Sequence, residues 1–295
     1  MRISALVLAA VLLASRIVAA QTPAVVPQPV PAAIYTDPPV DKAHPAAMDV
    51  LHIPTHGLLI NGLIYKPAGT GPHPALVLCH GLPGNEKNLD LAQAVRRAGW
   101  NAVTFNYRGS WGSPGSFRFA QNIEDANAVL TYLRDPANAA RLGVDPKRIA
   151  IAGHSMGGWV TAHAAAHDHA LLGAILISAA DMGALGELPR TKVVAEMKDD
   201  MESLAGVTAE SMADETIAHA KEFGFSKTVD GLVPMPLLVL SADDGLAPES
   251  DALVKEVTEK GSKQVTAIHI ATDHAWSDHR IFLESTIINW LAALN

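Results

Sequence analysis

The stretch Gly153-His154-Ser155-Met156-Gly157-Gly158 constrains the fold of this chain more than any other. It fits Gly-x-Ser-x-Gly, and its neighbours fit as well. Arg148-Ile149-Ala150-Ile151-Ala152 before it is a short apolar run that predicts a buried strand. Trp159-Val160-Thr161-Ala162-His163-Ala164-Ala165-Ala166 after it is rich in alanine and predicts a helix. A tight turn between strand and helix leaves no room for a Cβ on either side, which is the work of the flanking glycines. Strain and small neighbours in such a turn push a serine hydroxyl into the open, so Ser155 is the candidate nucleophile.

The rest of the chain repeats the same alternation. Apolar runs at 50–54 and 58–65 predict an opening antiparallel pair that turns near Thr55-His56-Gly57. Further strands are expected over 75–79, 101–107, 149–152, 174–178, 237–241 and 265–270, with helices over 89–98, 123–134 and 285–294. Gly99 supplies a helix stop. Short apolar strands alternating with helices imply an α/β fold whose mostly parallel central sheet is covered by helices on both faces. The segment 181–233 breaks the rhythm, being charged, methionine-containing and helical in pattern over 193–204 and 209–223. We read it as a small helical cap inserted over the carboxyl edge of the sheet.

Residues 1–20 have the form of a signal peptide. Arg2 supplies the positive charge, 3–14 is apolar, and Val18-Ala19-Ala20 offers small residues for cleavage after Ala20. The run is short for a membrane span and Arg16 interrupts it, so export without stable membrane insertion is expected. Residues 21–46 are rich in proline and alanine and predict a flexible lead-in to a domain over 47–295. With Cys79 as the one cysteine, no intramolecular disulfide is possible, and its apolar strand argues for a packed thiol rather than a nucleophile. The net charge of −8, with no run of Lys and Arg, argues against a nucleic-acid partner.

A serine nucleophile needs a base, and the base needs an orienting carboxylate. His274 directly follows the strand 265–270, while His279 lies beyond it in helix-forming sequence, so His274 is the expected base. Asp243 and Asp244 both follow the strand 237–241, and Asp181 follows the strand 174–178, leaving three candidate acids. An acyl-transfer intermediate also needs backbone N–H donors for its oxyanion. Met156, immediately after the serine, and Leu82, in His80-Gly81-Leu82-Pro83-Gly84 after a strand, are placed to provide them. His163 and His167 have a metal-compatible spacing, but no glutamate follows His163 and no third ligand is evident.

Taken together, His80-Gly81-x-x-Gly84, Tyr107-Arg108-Gly109, the Ser155 hexapeptide, 244–248 and His274 resemble the α/β-hydrolase superfamily. Residues 106–113 particularly resemble single-domain esterases and the catalytic domains of prolyl-oligopeptidase-like serine peptidases. The resemblance covers about 47–295 and implies an α/β-hydrolase fold. The spacing of Asp244 to Pro248 matches the acid loop of related hydrolases, which favours Asp244 over Asp243. The implied activity is hydrolysis of carboxylic esters on a small-molecule acyl substrate by Ser155, His274 and Asp244, with Leu82 and Met156 as the oxyanion hole. A serine at the elbow excludes haloalkane dehalogenase and epoxide hydrolase chemistry, and no metal or organic cofactor is implied. A peptidase or amidase with the same triad is the alternative, and a non-catalytic binding protein on the same fold is a third. Trp111, Trp159, Trp276 and the methionines of 181–233 are candidates for the pocket wall.

Overall fold

The apolar runs pair into one sheet. A computed structural model describes residues 29–294, so the expected signal peptide and the first residues of the lead-in lie outside the described residues. Eight strands, β1 (Ala47–Thr55), β2 (Leu58–Lys66), β3 (His73–Cys79), β4 (Asn101–Phe105), β5 (Val144–His154), β6 (Ala174–Ile177), β7 (Leu237–Ala242) and β8 (Val265–Ile270), lie in the order β1-β2-β4-β3-β5-β6-β7-β8. β1 and β2 are antiparallel, β2 joins β4 antiparallel, and every pair from β4 through β8 is parallel. Each strand end expected to carry a functional residue therefore points the same way.

The helices are α1 (Ala32–Tyr35), α2 (Leu89–Arg97), α3 (Phe119–Arg134), α4 (Pro136–Leu142), α5 (Met156–His167), α6 (Met182–Gly186), α7 (Arg190–Lys198), α8 (Ala209–Ala218), α9 (Ala220–Phe223), α10 (Val229–Leu232), α11 (Ala247–Glu259) and α12 (Arg280–Ala293). Alternation along β3 divides the core. Ala75, Val77 and Cys79 face a layer built on α3, α5 and α11, whereas Leu76 and Leu78 face α2 and α12. Helix α5 is buried along almost its whole length, from Met156 to Ala166. Its alanines let it lie close on the sheet, as expected of a helix apolar on every side.

Two expectations need correction. Part of the lead-in is tied down, since Pro29 O accepts from Asn289 Nδ2 at 3.0 Å and Ile34 O accepts from Arg97 Nη2 at 3.2 Å. The helix expected over 193–204 is α7, which ends at Lys198, and the one expected over 209–223 is broken at His219 into α8 and α9. The segment 181–233 packs on the body. Phe223, Phe225 and Val229 belong to the same buried cluster as Trp159 of α5, and a Cβ on Gly231 would lie 2.0 Å from Ala166 O.

The loop after β4 is pinned beneath the sheet edge. Arg108 is buried, and its Nε donates to Asp125 Oδ1 of α3 at 2.6 Å while its backbone N–H donates to Asp125 Oδ2 at 2.8 Å. Thr55 Oγ1 of β1 adds a third donor to that carboxylate at 3.0 Å. Gly109 has φ +67°, and a Cβ there would lie 2.1 Å from Phe117 N, so the turn after Arg108 admits only glycine.

Candidate active site

Ser155 sits between β5 and α5 with φ 58° and ψ −125°, a conformation rare for a residue with a side chain. The surroundings enforce it. A Cβ on Gly153 would lie 1.9 Å from Gly157 O, and one on Gly157 would lie 2.1 Å from Cys79 O. The glycines therefore let the helix start turn back against its own strand and against the end of β3. Ser155 N–H donates to Ile177 O at 2.9 Å, and Ser155 O accepts from Ala180 N–H at 3.1 Å. Within 151–160 every residue but Ser155 is buried.

A cavity of about 520 Å³ brings the expected site residues together: Ser155, Asp244, His274, Leu82 and Met156 all line it. His274 Nδ1 donates to Asp244 Oδ2 at 2.8 Å, with the carboxylate 3% exposed and the imidazole 42% exposed. That difference leaves one face of the base toward the cavity and its orienting acid dry. Burial works against the charge on Asp244, but hydrogen bonds from His274, from Leu246 N–H and from Ser178 outweigh it and pull the carboxyl down to about 2. Asp244 is thus an anion at any ordinary pH.

The rival candidates are engaged elsewhere. Asp243 Oδ1 accepts from the exposed His269 at 2.9 Å, and the other ring nitrogen of His269 meets Ser241 Oγ at 3.0 Å. Asp181 caps α6, accepting from the N–H groups of Gly183, Ala184 and Phe225. His279 pairs with Asp278 at 2.8 Å. Burial pushes the Cys79 thiol up to about 12, which removes it as a thiolate nucleophile. His163 Nε2 donates to Phe223 O at 3.1 Å, and His167 Nδ1 donates to His163 O at 2.9 Å.

Met156 opens α5, where the backbone N–H groups of the first turn have no partner within the helix. Leu82 belongs to a loop that presses on the serine, since a Cβ on Gly81 would lie 2.9 Å from Ser155 Cβ. Four donors hold that loop: His80 Nδ1 on Gly81 O at 2.8 Å, Tyr107 Oη on His80 O at 3.1 Å, and Trp111 Nε1 and Ser203 Oγ on Pro83 O at 2.6 and 3.2 Å.

Several supporting roles escaped the sequence analysis. His154 Nε2 donates to His274 O at 2.7 Å and its ring centroid lies 4.5 Å from that of His274, so the residue before the serine steadies the loop of the base. Burial, then the neighbouring His274, holds His154 down at about 4 and keeps it neutral. Trp276 Nε1 donates to Ser178 Oγ at 3.0 Å, and Ser178 in turn bonds Asp244. Of the expected pocket walls, Met182 and Met197 line the cavity. The tryptophans do not: Trp159 and Trp276 are buried, and Trp111 lies under Lys87. Asp200 and Glu196 also line the cavity, and burial followed by the charges of Asp199 and Glu196 pushes the Asp200 carboxyl up to about 6.

The fold has counterparts among known proteins. The chain is 31% identical over 121 residues to an uncharacterized protein of Mycobacterium tuberculosis, a match covering 41% of each. It is 28% identical over 116 residues to cutinase 2 of Thermobifida cellulosilytica, covering 39% of this chain and 42% of the cutinase. The matched stretch thus spans less than half of these relatives. Among solved structures, EstE1, a thermostable carboxylesterase cloned from a metagenomic library, has a similar fold. The TM-score is 0.64 at 24% identity, over 85% of this chain and 91% of EstE1. Residues 74–224 match the family profile described as the alpha/beta hydrolase fold, and the chain belongs to that family.

Proposed function

We propose that this protein is a serine hydrolase that cleaves carboxylic esters through an acyl-enzyme intermediate. The observation that carries the reading is the His274–Asp244 hydrogen bond of 2.8 Å in one cavity with the strained Ser155. His274 Nε2 takes the Ser155 proton as the hydroxyl oxygen bonds to the acyl carbon. Asp244 keeps the Nδ1–H tautomer in place and stabilises the imidazolium. The N–H groups of Leu82 and Met156 stabilise the oxyanion, and His274 returns the proton to the departing alkoxide, which leaves as the alcohol. Water activated by the same imidazole then releases the acid.

Leu82, Met182, Leu185, Leu188, Met197 and Leu246 give the cavity apolar wall, suited to an acyl or alcohol part of small or medium size. Residues 181–233 serve in this reading as a cap whose α6 and α7 complete the substrate cavity. Residues 1–20 serve as the export leader of a secreted or periplasmic enzyme, which N-terminal sequencing of exported protein tests at the Ala20 bond. A panel of p-nitrophenyl esters beside aminoacyl p-nitroanilides tests the activity, with ester turnover expected. Turnover of the anilides alone would assign a peptidase. A fluorophosphonate probe should label the wild type and not Ser155→Ala. An unlabelled wild type, inactive on every ester, would point to a binding protein.

A further inference from the structure

The turn that carries the base is held at three consecutive residues. His274 O accepts from His154 Nε2 at 2.7 Å, and Trp276 Nε1 donates to Ser178 Oγ at 3.0 Å. Between them, Ala275 O accepts from Arg280 Nη1 at 3.1 Å. The turn needs such holding, because Trp276 has φ 60°, a region that bulky side chains enter only when their surroundings impose it. Arg280 opens α12 and does not line the Ser155 cavity.

The rest of the guanidinium grips a different element. Its Nε donates to Asp90 Oδ2 at 2.8 Å and its Nη2 to Asp90 Oδ1 at 2.6 Å, a two-point fork on one carboxylate. Nη2 also donates to Asn88 Oδ1 at 3.0 Å. Asp90 stands in the first turn of α2, and Asn88 is the residue before that helix. Asn88 is buried, with φ 54°, and it closes the loop that leaves β3 at His80 and carries Leu82. One planar group therefore joins the far end of the oxyanion loop to the turn of the base, through a carboxylate 190 positions away in sequence.

A lysine cannot take this place, since an ammonium lacks the flat fork that fixes two partners at set angles. The Arg280 and Asp90 side chains are 20% and 45% exposed, so their charges alone contribute little to stability. The geometric consequence is larger. Acyl transfer needs the base and the oxyanion donors in register on one acyl group, and a misplacement of about 1 Å costs about 10²-fold in rate. We propose that Arg280 is a positioning residue of the hydrolase site, which locks the His274 turn to the start of α2 and so sets the distance between the base and the Leu82 donor. This assignment rests on the ester-hydrolase reading, with His274 as base and Leu82 N–H as an oxyanion donor.

Arg280→Gln, Arg280→Lys and Asp90→Ala in the full chain test it, and Asp90 too is outside the lining of the Ser155 cavity. On p-nitrophenyl butyrate each should lower kcat about tenfold to 10²-fold with KM within about twofold, the lysine giving no rescue. Arg280→Gln combined with Asp90→Ala should be no slower than Arg280→Gln alone, because both break one link. The His274 Nδ1 proton shared with Asp244 gives a readout that needs no substrate. Its low-field NMR line should broaden and exchange faster with water in every variant, while thermal melts move by only a few degrees. Wild-type kcat in the variants, losses that multiply in the double variant, or a loss confined to KM would overturn the proposal. If the wild type turns over no ester, the hydrolase reading falls, and the Nδ1 line then decides whether Arg280 positions His274. If Arg280→Gln fails to fold, Asp90→Ala decides.

Discussion

Asp243 and Asp244 are adjacent carboxylates with separate partners, and that separation makes a sharp experiment. Asp244 is dry and bonded to His274, whereas Asp243 is 64% exposed and bonded to His269. Asp244→Asn should lower kcat on esters about 10³- to 10⁴-fold with KM little changed, because the wrong imidazole tautomer then faces Ser155. Asp243→Asn should leave kcat within about twofold, since exposed pairs of this kind contribute little. Equal losses would mean that the acid is misassigned. Gly81→Ala is a second probe, because its new Cβ would meet Ser155 Cβ at 2.9 Å. Ester kcat should fall by about 10² while the melting temperature moves only a few degrees. Sequence pointed to Ser155, His274 and a short set of acids as candidates, since each lies just beyond an apolar strand. It did not separate Asp243 from Asp244 by contact, because His269 reaches Asp243 only through the register that sets Ser241 opposite His269 on β7 and β8. The supporting roles of His154, Ser178 and Trp276 were invisible for the same reason: their bonds join residues 98 or 120 positions apart.

At the scale of elements, strands were easier to read than helices. Parallel strands are continuous apolar runs, and β3, β6, β7 and β8 fall within two residues of their expected bounds. The amphipathic segments misled. Helix α7 stops at Lys198 because Asp199, Asp200 and Glu202 crowd its carboxyl end, where the helix dipole disfavours negative charge. Met201 and Leu204 keep the apolar spacing outside the helix by packing on the core. Helices α4 and α11 went unread although each starts with a proline in its first turn. Inside the loop after β4, the motif Tyr107-Arg108-Gly109 has a structural part to play. Arg108→Ala would strip the cation from the fully buried Asp125 and should destabilise the protein by about 3–5 kcal/mol in urea melts. Replacing both partners, Arg108→Met with Asp125→Leu, should recover part of that loss. A single-variant cost under about 1 kcal/mol would show that water reaches the pair.

For the whole molecule, protons link fold and solvent. His80, His154 and His163 each fall from 6.5 to about 4, with burial the first cause. The unfolded chain therefore binds more protons than the native one between those values, and stability should fall as pH drops from about 6.5 toward 4. Glu284 acts in the opposite sense. Burial, then Asp90, raises its carboxyl from 4.5 to about 7, so its contribution is full below 4.5 and is lost as pH rises toward 7. Asp200, raised from 3.8 to about 6, acts in the same sense as Glu284, but three groups outweigh two, and urea stability should climb from pH 4.5 to 6.5. Glu284→Gln should steepen that climb, and a His163→Gln variant that still folds should flatten it by about one proton. Unchanged slopes would refute the assignment. The thiol inside β3 has a practical corollary. Cys79 is 2% exposed and barely ionised, so native protein should take up no maleimide and denatured protein one equivalent per chain. A single cysteine placed on α6 or α7 would then carry a spin or fluorescent label to the mouth of the Ser155 cavity with no second substitution. Changes in that label's mobility and surroundings during turnover could be followed in an otherwise unaltered chain.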